Sequence, residues 1–302
     1  MRRVTLRQLQ TFEAVARLLS ITRAAEEMCV SQPTVSKQIK LLQEEIGLPL
    51  IEIIGKKLYL TEAGQELQKT CIDWISSWEF FEQKIANIKG LKQGKLKIST
   101  VTTVKYFLPK ILGMFCQEYP GIDVSLEVLN RNRVLERLQH NQDDIYIMGV
   151  PPDTEDVSAE PFIKNTLVII APSGHPLAQQ KNIPVSALEN EPFILREQGS
   201  GTRLLVEKLF NELNLQLNVR MELGSNEAIK QAVAGGMGLS LLSKSSVNID
   251  ANQNELCILD VEGFPIKRHW YIVRLQDKEV SVLAQTFIDY LLEHVDLLDA
   301  KM

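Results

Sequence analysis

Apolar positions keep a helical spacing through the first fifty residues and then change period twice. Leu6, Leu9, Phe12, Val15, Ala16 and Leu19 follow the rhythm of a helix with one buried face, and Thr5 with Gln8 three residues on makes a capping box at its start. Thr22 is the expected cap of a second, two-turn helix with Ala24, Ala25 and Met28 on its buried face. Cys29 and Val30 turn the chain, and Ser31 caps a third helix whose first turn accepts Pro33 without losing a needed hydrogen bond. On that helix Val35, Ile39, Leu42 and Ile46 fall within about 40° of one another. Residues 51–60 alternate around Gly55 as a small hairpin does. From Ala63 onward Leu67, Cys71, Trp74, Trp78, Phe81, Ile85 and Ile88 recur at gaps of four and three, an a/d seam on one long helix. Such a stripe predicts an identical helix against it, hence a homodimer; the alternative is packing on the protein's own core. Gly90 to Gly94 then reads as a hinge.

Beyond the hinge, extended apolar runs alternate with helical ones. A strand at 96–100, a helix to Tyr119 and Pro120, a strand at 124–128, a helix to His140 and a strand at 144–148 give βαβαβ. A second series has strands at 167–171, 193–195, 219–223 and 239–242, with helices from about Thr202 and Asn226; a strand around 270–274 and a helix from Val280 close the chain. Two α/β lobes joined twice place a cleft where strand C-termini and helix N-termini converge.

The outward face of the third helix carries Pro33, Thr34, Ser36, Lys37 and Lys40, donors without a carboxylate before Glu44. Acids usually interleave with bases on a solvated helix because i,i+4 pairs support it, so their absence over two turns points to a polyanion. Two short helices, a tight turn and a third helix with donors outward form the unit that lays its last helix in the major groove of double-stranded DNA. At the hairpin tip, Lys56 and Lys57 stand where a wing reaches neighbouring phosphates, although such a tip taken alone reads as an ordinary soluble turn. The net charge of −5 conceals a division: residues 1–60 hold nine Lys and Arg against six Glu, and the acidic excess lies in the remainder. A basic head on an acidic body suits phosphate contacts confined to one end.

Several function classes fall away. Cys29, Cys71, Cys116 and Cys257 form no C-x-x-C pair and read as reduced, buried thiols, and no histidine stands at helical spacing from another, so no metal site is expected. There is no apolar run of eighteen residues, and a polar mixture follows Met1, Arg2 and Arg3; the expectation is a cytoplasmic protein with no membrane contact. A secreted solute-binding protein would share the two lobes but should carry a signal peptide and no basic head. Gly199, Ser200 and Gly201 lack the spacing of a nucleophile elbow and no histidine is near in sequence, so an enzyme is not expected.

The stretch TRAAEEMCVSQPTVSKQIK at 22–40, with GLPL at 47–50 and LTEAG at 60–64, resembles the head of LysR-type transcriptional regulators. The resemblance covers essentially the whole chain. It implies an α+β multidomain protein: an N-terminal all-α winged helix-turn-helix domain at 1–60, a linker dimerisation helix at 61–90, and a two-lobed α/β effector domain like periplasmic binding proteins at 91–302. Its first lobe would span about 95–165 plus 268–302 and its second about 166–267. LKQG at 91–94, YFLP at 106–109, FCQEYPGIDVS at 115–125, REQGSGTR at 196–203 and GSNEAIKQ at 224–231 resemble the branch governing carbon dioxide fixation and inorganic-carbon uptake. Two departures stand out: the family often has Phe-Glu-Arg where Ile51, Glu52 and Ile53 occur, and Glu where Gln43 stands. By this resemblance Gln32, Pro33, Thr34, Ser36 and Lys37 approach DNA, although the helical wheel puts Gln32 at the buried edge.

Gly199, Ser200, Gly201, Thr202 and Arg203 follow a strand and open a helix, where backbone N–H groups, hydroxyls and a guanidinium suit a carboxylate or phosphate. A glycine-rich turn is common, and alone this is a bare turn. Convergence with Thr100, Thr102 and Thr103 after the first strand of the other lobe raises it to a candidate site, made of those threonines with Arg196, Ser200, Thr202 and Arg203. Asn130 and Arg131 are weaker candidates, readable as an ordinary capped turn. The resemblance implies no cofactor but a small anionic effector: 2-phosphoglycolate, 2-oxoglutarate, ribulose bisphosphate or NADP. It also implies homodimers pairing into tetramers, and activation or repression without choosing between them.

Overall fold

A computed structural model of the chain describes residues 4–55, 57–88, 93–247 and 255–295 and separates into two compact units, one built on Met1–Ile85 and the other on most of the remaining chain. In the first, α1 (Leu6–Leu18) starts at the capping box: the Thr5 hydroxyl accepts from the Gln8 amide at 3.3 Å, and the Thr5 amide donates to the Gln8 side chain at 2.7 Å. α2 (Ile21–Glu27) is capped by Ser20 rather than Thr22, because Leu19 reverses the chain in a left-handed conformation and brings Thr22 inside the first turn. α3 (Gln32–Ile46) begins at Ser31, whose hydroxyl accepts from the Thr34 amide. Phe12, Val15, Ala24, Val35, Ile39 and Leu42 close the core between the three helices. Cys29 is exposed rather than buried, since it occupies the turn before α3 at φ 53°.

Strands β1 (Ile51–Ile54) and β2 (Lys57–Leu60) pair antiparallel across Gly55. Gln43 ties α3 to this hairpin: its side-chain oxygen accepts from the Leu50 and Ile51 amides at 2.8 and 3.3 Å. That role asks only for an acceptor, which is why an amide can stand here. Helix α4 (Glu62–Ile88) is launched by Thr61, whose hydroxyl donates to the Pro49 carbonyl at 2.7 Å and accepts from the Gly64 amide at 3.1 Å. A Cβ on Gly64 would stand 2.0 Å from the Leu50 carbonyl oxygen, so only glycine lets α4 lie this close to the chain before the hairpin. Gly64→Ala is expected to destabilise the head by about 3 kcal/mol, the upper part of the usual cost of forced overpacking; a thermal unfolding transition of the head left unmoved would refute the close approach.

The seam of α4 divides between two environments. Ala63 and Leu67 pack on the head's own core and Cys71 is fully buried within it, its thiol pushed up to about 12 by burial and then by Glu13. Further along, Trp78 and Phe81 are 45 % and 50 % exposed, with Trp74 stacked on Trp78 at 6.1 Å. The expectation of one continuous partner-facing stripe is therefore corrected: its first turns serve the head, because α4 runs back across the domain it follows. Residues 89–92 of the expected hinge and the Ile88 side chain lie outside the described residues.

The second unit is organised by a seven-stranded sheet in the order β10-β6-β11-β5-β3-β4, with β9 also on β6. β3 (Gly94–Val101), α5 (Leu108–Glu118), β4 (Ile122–Leu129), α6 (Arg131–Gln139) and β5 (Ile145–Met148) form the first βαβαβ, its strands parallel. β6 (Val157–Pro172) and β11 (Ile266–Leu275) are long antiparallel partners, paired from Val157 with Leu275 to Leu167 with Ile266 across a one-residue register shift between Trp270 and Tyr271. The expected lobe boundaries at 165 and 268 fall inside these two strands, at Asn165 opposite Arg268, so the lobes are joined by continuous strands rather than by loops. The second lobe adds β7 (Phe193–Arg196), α7 (Gly201–Glu212), β8 (Val219–Leu223), α8 (Asn226–Ala234), β9 (Ser240–Ser243), the short α9 (Lys244–Val247) and β10 (Leu256–Ile258). α10 (Val282–Glu293) returns to the first lobe, where Phe287 meets Phe115 edge-on at 5.1 Å. The lobes hold separate cores, one around Phe107, Phe115 and Trp270 and one around Phe193, Phe210 and Leu241.

Candidate functional site

The three buried residues of α3 fix which face it turns outward. With Val35, Ile39 and Leu42 inside, Gln32, Pro33, Thr34, Ser36, Lys37 and Lys40 are all exposed. Gln32 is thus on the open face; the wheel misplaced it because it stands in the first turn, where no helical turn precedes it to cover it. Lys40 approaches Glu44 at 3.9 Å, but both side chains are largely exposed, so the pair contributes little and leaves the ammonium available. Lys57 is exposed at the hairpin tip, beside Ile53 and Ile54 at 65 % and 62 % exposure; Lys56 lies outside the described residues. The face is a surface of side-chain hydroxyl, amide and ammonium donors at the start of a helix, the kind of surface that meets base edges and phosphates in a major groove.

In the second unit a cavity of about 440 Å³, part of it open to solvent, lies between the lobes where β3, β7 and the starts of α6 and α7 converge. Of the expected residues, Thr102, Thr103, Asn130, Arg131, Arg196, Ser200 and Thr202 line it, and Thr100 and Arg203 do not. Thr100 is fully buried and gives its hydroxyl proton to the Ile147 carbonyl at 3.0 Å, a bond inside the sheet. Arg203 turns back along α7: its Nε pairs with Glu207 at 2.7 Å, and Nη1 bonds the Arg196 carbonyl and pairs with Glu222. The hydrogen bond to Glu207, opposed by burial and reinforced by Glu222, holds its pKa above the usual arginine value. Both residues hold the fold together rather than face the cavity.

The two arginines on the cavity differ in what already neutralises them. Arg196 is 3 % exposed; Nε and Nη2 bind both oxygens of Glu197 at 2.8 and 2.9 Å, Nη1 donates to Asn226 at 2.7 Å, and Nη2 also donates to Thr102 at 3.0 Å. Its charge is already matched. Arg131 donates Nε to the Val150 carbonyl at 2.7 Å and has no carboxylate partner among the described residues; burial alone lowers its pKa. A half-buried cation without a counter-ion is an open anion site. Opposite it, α7 begins at Ser200, whose side chain makes no capping hydrogen bond, so the first amides of α7 keep their orphan donors. Asn130 meanwhile accepts from the Arg133 amide at 3.1 Å, the capped turn its sequence also allows.

Sequence reasoning missed Asn165 and Trp270, which line the cavity from the middle of β6 and β11, and Gly149, where a Cβ would come within 3.0 Å of both. It also missed Glu197 and Asn226, which neutralise and orient Arg196. An acid directly after Arg196 was the available signal for the first; the strand crossing that places Asn165 and Trp270 has none. Among the described residues no group of three or more His, Cys, Asp or Glu is placed to hold a metal, and no helix is long and apolar enough to cross a membrane.

Residues 6–65 match the family described as "Bacterial regulatory helix-turn-helix protein, lysR family", and residues 89–296 match "LysR substrate binding domain". The HTH-type transcriptional activator CmpR of Synechocystis sp. is 50 % identical over 294 residues, covering 97 % of each chain. The RuBisCO operon transcriptional regulator of Acidithiobacillus ferrooxidans is 49 % identical over 290 residues, covering 96 % of this chain and 94 % of that one. The solved regulatory domain of Synechocystis PCC6803 CcmR, in complex with 2-PG, is 52 % identical with a TM-score of 0.65, covering 67 % of this chain and 98 % of that one. A full-length OxyR variant from Pseudomonas aeruginosa, 22 % identical with a TM-score of 0.72 over 98 % of this chain and 96 % of its own, shares the fold. The chain belongs to the LysR family of bacterial helix-turn-helix transcription regulators.

Proposed function

We propose that this chain controls genes of carbon dioxide fixation or inorganic-carbon uptake, binding double-stranded DNA in pairs through α3 and responding to a small anion held between its lobes. The observation that carries the effector half is Arg131, a cavity-lining guanidinium without a counter-ion among the described residues, facing the uncapped start of α7. The names of the similar regulators and the 2-PG held by the CcmR domain support the physiological half. The candidates for that anion are 2-phosphoglycolate, 2-oxoglutarate, ribulose bisphosphate and NADP. The anion is held by Arg131, the α7 amides and the hydroxyls of Ser200, Thr202, Thr102 and Thr103, with Arg196 fixing the wall. The protein works in the cytoplasm as a homodimer joined along the exposed half of the α4 seam, with pairs of dimers forming tetramers.

Calorimetric titration of the full-length protein with 2-phosphoglycolate is expected to give saturable binding with one site per chain; absence of binding by this and the other small anions would overturn the effector reading. On the DNA side, Gln32, Pro33, Thr34 and Ser36 reach base edges while Lys37, Lys40, Lys56 and Lys57 neutralise phosphate. Lys37→Ala should weaken binding to all DNA and lower the salt slope by about 0.9, the share of one phosphate contact. An unchanged slope in gel shifts at several salt concentrations would remove Lys37 from the interface.

A further inference from the structure

We propose that Tyr106 and Glu227 form a latch across the cleft that holds one wall of the cavity in place, so that they set effector affinity without touching the effector. The wall is the short turn Thr102–Tyr106 between β3 and α5, which begins without a side-chain cap. Thr102 and Thr103 line the cavity from it; Tyr106 and Glu227 do not line the cavity. The turn belongs by chain connection to the first lobe, yet both of its ends are fastened to the second. At the near end the Thr102 hydroxyl accepts from Arg196 Nη2 at 3.0 Å. At the far end the Tyr106 hydroxyl donates to Glu227 Oε1 at 2.6 Å, and its ring lies over the ammonium of Lys230, 5.5 Å from the centroid.

The receiving side is built to hold that ring. Lys230 is only 2 % exposed and donates to the Ser246 carbonyl at 2.7 Å, so its ammonium is fixed beneath Tyr106. Glu227 is oriented within its own lobe by Ser225 at 2.9 Å and meets Lys105 Nζ at 3.1 Å. Burial pushes the Glu227 carboxyl up, but bonds from Tyr106, its own backbone, Lys105 and Ser225 outweigh this and hold it at about 2, so it stays ionised at any pH near neutrality. The Lys105 pair is exposed on both sides and contributes little. The hydroxyl-to-carboxylate bond and the ring on a desolvated ammonium supply the grip. Separating the lobes breaks both, and a latch that raises the population of the binding-competent arrangement raises apparent affinity by the same factor.

The consequence for affinity rests on the effector reading above; the latch itself does not. Tyr106→Phe keeps the ring and removes the hydroxyl, while Glu227→Gln keeps an acceptor and removes the charge. Hydrogen exchange at the amides of 102–106 and 225–228 in the ligand-free, full-length protein is expected to quicken by about 3- to 10-fold in each variant, in keeping with one partly exposed charge-assisted bond. The double variant should add almost nothing further. Affinity for 2-phosphoglycolate should fall equally in the two single variants, by no more than the factor seen in exchange. Exchange within twofold of wild type, or single effects that multiply in the double variant, would overturn the latch. Wild-type protein that fails to bind 2-phosphoglycolate would defeat the effector reading while leaving the exchange result to decide the latch.

Discussion

Arg131→Ala is expected to weaken binding of 2-phosphoglycolate by about 100-fold, the cost of removing one side of a largely desolvated charge pair. Arg131 lines the cavity and bonds the Val150 carbonyl, and no carboxylate among the described residues offsets its charge. Arg203→Ala, by contrast, should leave anion affinity within about threefold, since Arg203 already pairs with Glu207 and Glu222 away from the cavity. It should lower the melting temperature of the effector domain instead. The two variants together separate the structural from the recognition arginine, and a reversed pattern in calorimetry would exchange their roles.

The second large effect concerns the seam. For the homodimer proposed above, Trp78→Glu combined with Phe81→Glu is expected to give monomers and to reduce affinity for a two-half-site operator by about 100-fold or more, because the second head then binds from solution instead of from a tethered partner. Both side chains are about half exposed, Trp78 stacked on Trp74 and Phe81 tilted against Trp78, and in the proposed dimer four carboxylates would face one another at the seam. Leu67→Ala should instead lower the stability of the head and leave the oligomeric state unchanged, because Leu67 packs on the head's own core. Sedimentation of the doubly substituted protein as an intact dimer would contradict this division of α4.

Much of this architecture was legible in the residues, for local reasons. Caps at Thr5 and Ser31, the four-residue recurrence on α3 and the hairpin around Gly55 are encoded within a few positions of where they act. The cap of α2 was misread because Ser20 and Thr22 are both good caps, and the choice rests on a left-handed Leu19 that no pattern announces. The long strands β6 and β11 were seen only in part. Polar residues at their middles, Lys164, Asn165, Arg268 and His269, break the apolar run where the strands pass between cores. The same crossing hid Asn165 and Trp270. Most of the cavity residues are legible in the sequence, but which arginine is free is not: that depends on a partner such as Glu207, Glu222 or Glu197, and only the fold shows which arginine is already paired.

In the proposed mechanism the cavity is coupled to DNA by differential affinity: an anion can rearrange two paired heads only if it binds one arrangement more tightly. The most direct test is a footprint of the full-length protein on the promoter of a carbon-fixation operon, with and without saturating 2-phosphoglycolate, for wild type and Arg131→Ala. The expected result is a footprint that changes length or bend with the anion in wild type and stays fixed in the variant. Identical wild-type footprints at saturation, with the anion demonstrably bound, would contradict the coupling of this cavity to DNA.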